Sequence, residues 1–238
     1  MPQEPHRDRT VLALLYLFTV VTGLIDAVSF LSLGHVFTAN MTGNIVFLGF
    51  AVAGAPGLSV PRSLAALAGF LLGALLGGRF ATFLSTISVR KWTTTAFGLE
   101  GIVLLAATLA SIRLHASEVI AVYAVIVLTA VAMGIRNATV RKLAVADLTT
   151  TVLTLTITGL AADSLLAGGN NPRWQRRVLS VVLMFSGAAF GALLLKHSVA
   201  LPLAVATLSS FAGIVALFSK REGGVEQTPA HQSETKSL

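Results

Sequence analysis

Six stretches of this chain are apolar over about the 20 residues that a helix needs to cross the hydrocarbon core of a bilayer, and they constrain everything else the chain can do. They are 11–31, 63–84, 93–112, 118–135, 177–195 and 199–219. Two shorter apolar runs, 41–54 and 148–162, lie among them, each opening on a Thr-rich polar start. Backbone in lipid has no water to bond to, so long apolar runs are read as helices. Length makes the first six full spans, and the other two half-helices, re-entrant segments or buried helices. Only 11% of residues are charged, against about 25% in an average soluble domain, so the expected class is an all-α polytopic membrane protein. The chain has no cysteine, which excludes disulfides, thiolate metal sites and cysteine nucleophiles. The first run, at 21 residues, is longer than the roughly 7–15 residues of a signal-peptide core, so it is read as a retained span.

Charge decides how many runs cross. If all eight cross, with the N-terminus inside, Lys and Arg divide ten inside against seven outside. If 41–54 and 148–162 do not cross, the division becomes fourteen against three, which the positive-inside rule prefers. The expectation is therefore six full transmembrane helices plus two short partial helices, with both termini cytoplasmic. A tail at 1–10 precedes the membrane units 11–112 and 118–219, and a disordered cytoplasmic tail follows at 220–238. The net charge of +7 is read as loop anchors facing anionic lipid, not as a nucleic-acid surface, because no basic face with interleaved aromatics is visible.

The two units resemble each other. "GLIDAVSF" from Gly23 matches "GIRNATVR" from Gly134, setting Asp26 against Asn137. "ANMTGNIVFLG" from Ala39 matches "ADLTTTVLTLT" from Ala146, setting Asn40 against Asp147 and Thr42 against Thr149. Arg62, Gly73 and Gly77 match Arg176, Gly187 and Gly191, and the three offsets are 111, 107 and 114. Three spans per unit is an odd number, so the second copy enters the membrane upside down. Two inverted repeats whose broken helices meet near the midplane are a common architecture of secondary transporters.

In that architecture the polar starts acquire a role. Asn40 and Asp147 are strong N-cap residues, and a helix starting inside a membrane exposes about four unpaired N–H groups that must face protein or a wet cavity. Thr38, Thr42 and Asn44 from the first copy, and Thr149, Thr150 and Thr151 from the second, add donors and acceptors. Two helix starts pointing at each other would favour an anionic solute. The plain alternative is capping and Ser/Thr bonding between packed helices. Asp26 and Arg136 occupy neighbouring positions of the aligned blocks, so a cross-repeat ion pair is expected, with Arg136 ending the fourth span. Asp26 or Asp147 would carry coupled protons. Glu100 and Asp163 are read as structural. The small-xxx-small spacings at Gly69, Gly73, Gly77, Gly187 and Gly191 indicate close helix packing, either within one protomer or across a homodimer. His35 and His197 stand alone, so no metal site is expected. No nucleophile elbow, phosphate loop or HExxH occurs, so neither enzyme chemistry nor a cofactor is expected.

The blocks "GLIDAVSF", "FTANMTGN" and "RNATVRKLAVADLTTTVLTLTITGLAAD" resemble the YoaK-like family of bacterial inner-membrane proteins, defined by a domain of unknown function. The resemblance covers about residues 10–220. It implies a small multi-pass protein of the bacterial inner membrane and supplies no activity or site. In arrangement, though not in matched residues, the paired short helices are also similar to those of sulfate- and uracil-permease-type transporters. The functional expectation is a secondary transporter or exporter of a small polar, anionic solute. The competing one is a membrane structural or partner-binding protein without transport activity.

Overall fold

The computed structural model describes residues 9–83, 89–113, 119–143, 153–171 and 173–219. Over these the regular elements are helical: α1 (Arg9–Ser32), α2 (Met41–Val52), α3 (Val60–Phe83), α4 (Val89–Ile112), α5 (Val119–Leu143), α6 (Leu153–Ala162), α7 (Trp174–Leu195) and α8 (Ala200–Ser219), with a short 3₁₀ turn at Leu165–Ala167. Five are long and apolar enough to cross a membrane: α1, α3, α4, α5 and α7. α8 has 20 residues, about 30 Å of helix, and is apolar over Ala200–Val215. α2 and α6 have 12 and 10 residues, about 18 and 15 Å, roughly half the hydrocarbon thickness. The chain is a polytopic all-α membrane protein. The tail 220–238 and the motif Asp147, Thr149, Thr150 and Thr151 lie outside the described residues.

The helix starts follow local chemistry. Asn40 caps α2, its Oδ1 accepting from the Gly43 N–H at 3.4 Å. Ser59 accepts from Arg62 N–H at 3.5 Å ahead of α3, and Ser198 accepts from Leu201 N–H at 3.3 Å ahead of α8. Both of these helices carry proline in the first turn, Pro61 and Pro202, where a missing N–H costs nothing. The turn between α2 and α3 uses Gly54 and Gly57 at φ +85° and +79°, a region open to glycine without strain.

α1, α4, α5 and α8 form the centre, and α3 and α7 lie outside it. Of the most apolar window of each helix, 67% is buried in α1 but 17% in α7. α3 packs on α5, and α7 packs on α1. Glycines set both contacts. A Cβ on Gly73 would overlap the Val131 carbonyl, and one on Gly187 would overlap the Val20 carbonyl. On the facing helices, a Cβ on Gly134 would meet Phe70 O and Ala74 N, and one on Gly23 would meet Met184 O and Ala188 N. Val20 and Val131 differ by 111 positions, and Phe70 and Met184 by 114, the offsets of the sequence match. The glycine stripes Gly69, Gly73, Gly77, Gly187 and Gly191 thus pack helices inside one chain, the within-protomer alternative of the two that their spacing offered.

Contact order along the helices gives their relative directions. Arg136 of α5 meets Phe18 and Thr22 of α1, while Val140 packs with Leu15, so α1 and α5 run antiparallel. Gly98 lies by Ile214, Gly101 by Phe211, and Thr108 bonds Thr207 at 3.0 Å, so α4 and α8 also run antiparallel. Gly69, Gly73 and Gly77 meet Val127, Val131 and Ile135 in order, so α3 and α5 are parallel, as are α1 and α7.

Candidate functional site

The centre of the bundle holds a fully buried ion pair. Arg136 and Glu100 are both 0% exposed, and the Arg136 Nη2 pairs with Glu100 Oε1. Nε donates to the same oxygen at 3.0 Å, Nη1 donates to Phe18 O at 3.2 Å and to Thr22 Oγ1 at 3.4 Å, and Nη2 reaches Ser210 Oγ at 3.5 Å. The Ser210 hydroxyl in turn lies 3.1 Å from Glu100 Oε1. The guanidinium sits 4.5 Å from the Phe18 ring centroid, and Phe18 packs on Phe97 at 4.5 Å. Four helices, α1, α4, α5 and α8, are joined through one cation. A charge in the bilayer centre costs at least about 2.5–3.5 kcal/mol on insertion scales, which a compensating charge and several donor–acceptor pairs offset.

This corrects two expectations. Arg136 does not end a span, since α5 continues to Leu143. Nor does it pair with Asp26, because Arg136 enters the helix crossing at the level of Phe18 and Thr22, one turn short of Asp26, and Glu100 reaches that level from α4. Glu100, read as structural from the sequence, is the partner. The pattern that could have revealed it is simple: a lone acid and a lone base in separate long apolar runs both need compensation.

Asp26 is left over. It is 9% exposed and belongs to a buried polar stripe on α1 with Thr19, Thr22 and Ser29. Ser29 Oγ donates to the Asp26 main-chain oxygen at 3.2 Å, but the buried side-chain oxygen Oδ1 has no partner. Thr38 Oγ1 and Glu100 Oε2 are buried without partners as well. Asn137 on α5 is half-buried, and its amide donates to Met133 O at 2.8 Å.

The first polar motif is built into the bundle from one end. After α1 the chain does not leave the protein: Leu33, Val36, Thr38 and Ala39 are buried, and Leu33, Val36 and Ala39 pack in the same core as Ala66, Val125 and Leu203. Asn44 fastens this segment, donating from Nδ2 to Ser63 O at 3.1 Å while Oδ1 accepts from Phe37 N–H at 3.4 Å. Phe30, Phe37 and Phe47 pack on one another with ring centroids 5.3–5.8 Å apart, and His35 bonds Gly57 O at 3.2 Å. Thr42 is exposed and Asn40 half-buried. Thr38, Asn40 and Asn44 are therefore gathered within one structural unit. Asp26, Arg136 and Asn137 lie on the two helices that cross at the centre.

The two short helices do not meet. α2 packs on α3, α6 packs on α7, and no contact joins α2 to α6 among the described residues. α6 is held from its C-terminal side: Arg177 of α7 donates to Gly159 O and Asp163 Oδ2, both at 2.6 Å, and to Asn171 Oδ1 at 3.1 Å. Asp163 thus has a structural ion-pair role, as its place at a helix end suggests.

The profile of a family described as a protein of unknown function, DUF1275, matches residues 14–217. The chain is 37% identical over 150 residues to the transmembrane protein YoaK of Bacillus subtilis (strain 168), a match covering 63% of this chain and 65% of that protein's length. The match therefore spans less than two thirds of that relative. No solved structure matches the chain.

Proposed function

Because the chain belongs to the DUF1275 family of unknown function, we propose its activity from its own geometry. It is a secondary transporter or exporter of a small polar, anionic solute in the bacterial inner membrane, built as two inverted repeats with cytoplasmic termini. The antiparallel directions of α1 against α5 and of α4 against α8 support the inversion. Eight crossings would make each pair of equivalent helices parallel, whereas six, with α2 and α6 stopping short, make them opposed. The orientation rests on the distribution of Lys and Arg, thirteen inside against three outside once Arg136 is taken from the fourteen as a bundle residue.

The observation that carries the transport reading is Asp26. Arg136 and Glu100 neutralise each other, and Asp26 remains a buried carboxylate with an unpartnered oxygen. Membrane interiors retain such a group where it has work to do. In this reading Asp26, or Asp147 in the second copy, carries the coupled proton. Thr38, Asn40, Thr42 and Asn44, with Asp147, Thr149, Thr150 and Thr151, supply solute contacts from opposite sides. The test is uptake of radiolabelled sulfate, phosphate and small carboxylates into proteoliposomes. Wild type should transport one of them, and Asp26→Asn and Asp147→Asn should slow it at least tenfold. Equal rates for wild type, both variants and empty vesicles remove the assignment.

A second reading, a structural or partner-binding membrane protein, draws support from the full use of Arg136 as a clamp and from the separation of α2 and α6. It expects Val in place of Thr149, Thr150 and Thr151 to lower thermal stability in detergent, with no solute stabilising either protein.

A further inference from the structure

The last turns of α3 and the end of α5 border an open groove of about 850 Å³, and neither Arg136 nor Glu100 is among its described lining residues. Its described apolar wall includes Leu75, Phe80 and Phe83, exposed by 57%, 39% and 83%. Its described polar groups are Arg79, Lys142 and Thr82. Lys142 Nζ donates to Thr82 Oγ1 at 2.8 Å, which fixes one ammonium at the rim. No acid lies among the described lining residues, so no described acid neutralises either cation there. The arrangement is directional: the cations lie toward the helix end, and Leu75 lies about 6 Å further into the membrane than Arg79, at 1.5 Å per residue.

We propose that this groove is a binding site for an anionic phospholipid, its headgroup phosphate held by Arg79 and Lys142 and one acyl chain laid along Leu75 and Phe80. Two cations with no counter-charge among the described lining residues, above an apolar trough, match the charge and shape of such a lipid, whereas a soluble anion would leave the trough empty and a zwitterionic lipid would bring its own cation to the rim. The Lys and Arg distribution that orients the chain puts this rim in the cytoplasmic leaflet, where anionic lipids attract basic side chains.

The test uses the full chain purified in detergent, with lipid retention read by native mass spectrometry. Titrants are phosphatidylglycerol, phosphatidylcholine and inorganic phosphate. Phosphatidylglycerol should be retained at least fivefold more tightly than phosphatidylcholine, and Arg79→Gln and Lys142→Gln should each cut that retention about fivefold. Lys196→Gln, at the opposite end of the bundle, should change nothing, and millimolar phosphate should not displace the lipid. Thermal unfolding of the exposed-site variants without lipid checks that they fold. Equal retention of the two lipids, insensitivity to both substitutions, or displacement by phosphate alone overturns the proposal.

Discussion

Arg136 and Glu100 meet across 36 positions of sequence, from α5 and α4, with no exposure of either side chain. Among the described residues, the pair accounts for two of the three ionisable groups buried in the bundle centre and leaves Asp26 as the third. Structure and proposed activity therefore divide cleanly: the pair holds the bundle, and the leftover acid is available for transport.

Removing one partner of the pair should be costly. Glu100→Gln leaves Arg136 buried without a counter-charge and should destabilise by about 3–5 kcal/mol. A double variant, Glu100→Leu with Arg136→Met, should recover most of that loss, because it removes both desolvated charges. Thermal or denaturant unfolding in a fixed detergent measures both; additive losses would show that the two residues do not act as a pair.

Asp26→Asn should behave in the opposite way. Its buried Oδ1 has no hydrogen-bond partner to lose, so the midpoint of thermal unfolding should stay the same or rise, while transport in proteoliposomes falls. A large drop in stability with unchanged transport would make Asp26 a structural residue.

The glycine contacts give a graded series. Gly73→Ala and Gly187→Ala drive a methyl group into the Val131 and Val20 carbonyls and should each cost about 1–3 kcal/mol or more. Gly78, one position after Gly77 on α3, has nothing within 4 Å of an added Cβ. Gly78→Ala should be neutral or stabilise by up to about 1 kcal/mol through helix propensity. Parallel unfolding curves of the three variants settle the comparison.

Asn44 ties the inserted segment 33–39 to α3 through two hydrogen bonds. Asn44→Ala leaves the Ser63 carbonyl and the Phe37 amide without their side-chain partner, which should cost about 1–3 kcal/mol. The loss should be local, read as faster hydrogen exchange at Val36–Asn40 with little change at Arg136. Asn40→Ala, which removes only the cap of α2, should cost about 1 kcal/mol.

Much of this was legible in the residues. Apolar length gave the helices, and their described ends fell within a few residues except where α5 ran on past Arg136; five helices, not six, are long and apolar enough to cross, because α8 is apolar only over Ala200–Val215, and the start of the run 148–162 lies outside the described residues. That miss has a physical cause: hydropathy treats an arginine as an end, but one with a glutamate, two hydroxyls and a carbonyl in reach can sit mid-helix. The glycine match between the halves was readable as a pattern, though not as an exchange of partners, because small residues announce proximity without saying to what. Asn40 as a cap was foreseen from its type. The insertion of Leu33–Ala39 into the core was not, since nothing in a short mixed loop tells whether it turns outward or in. The pairing of Arg136 with Glu100 rather than Asp26 depended on depth along antiparallel helices, which repeat alignment does not supply.

The crossing-over of α3 onto α5 and α7 onto α1 has a consequence for biogenesis. The surface of α1 around Gly23 is completed by residues near Gly187, made 164 positions later, roughly 10–30 s of translation at ordinary rates. Through that interval the first span must wait in the bilayer with its docking face open to lipid or to an insertion factor. A ribosome stalled before α7 emerges would leave an assembly intermediate, not a folded half.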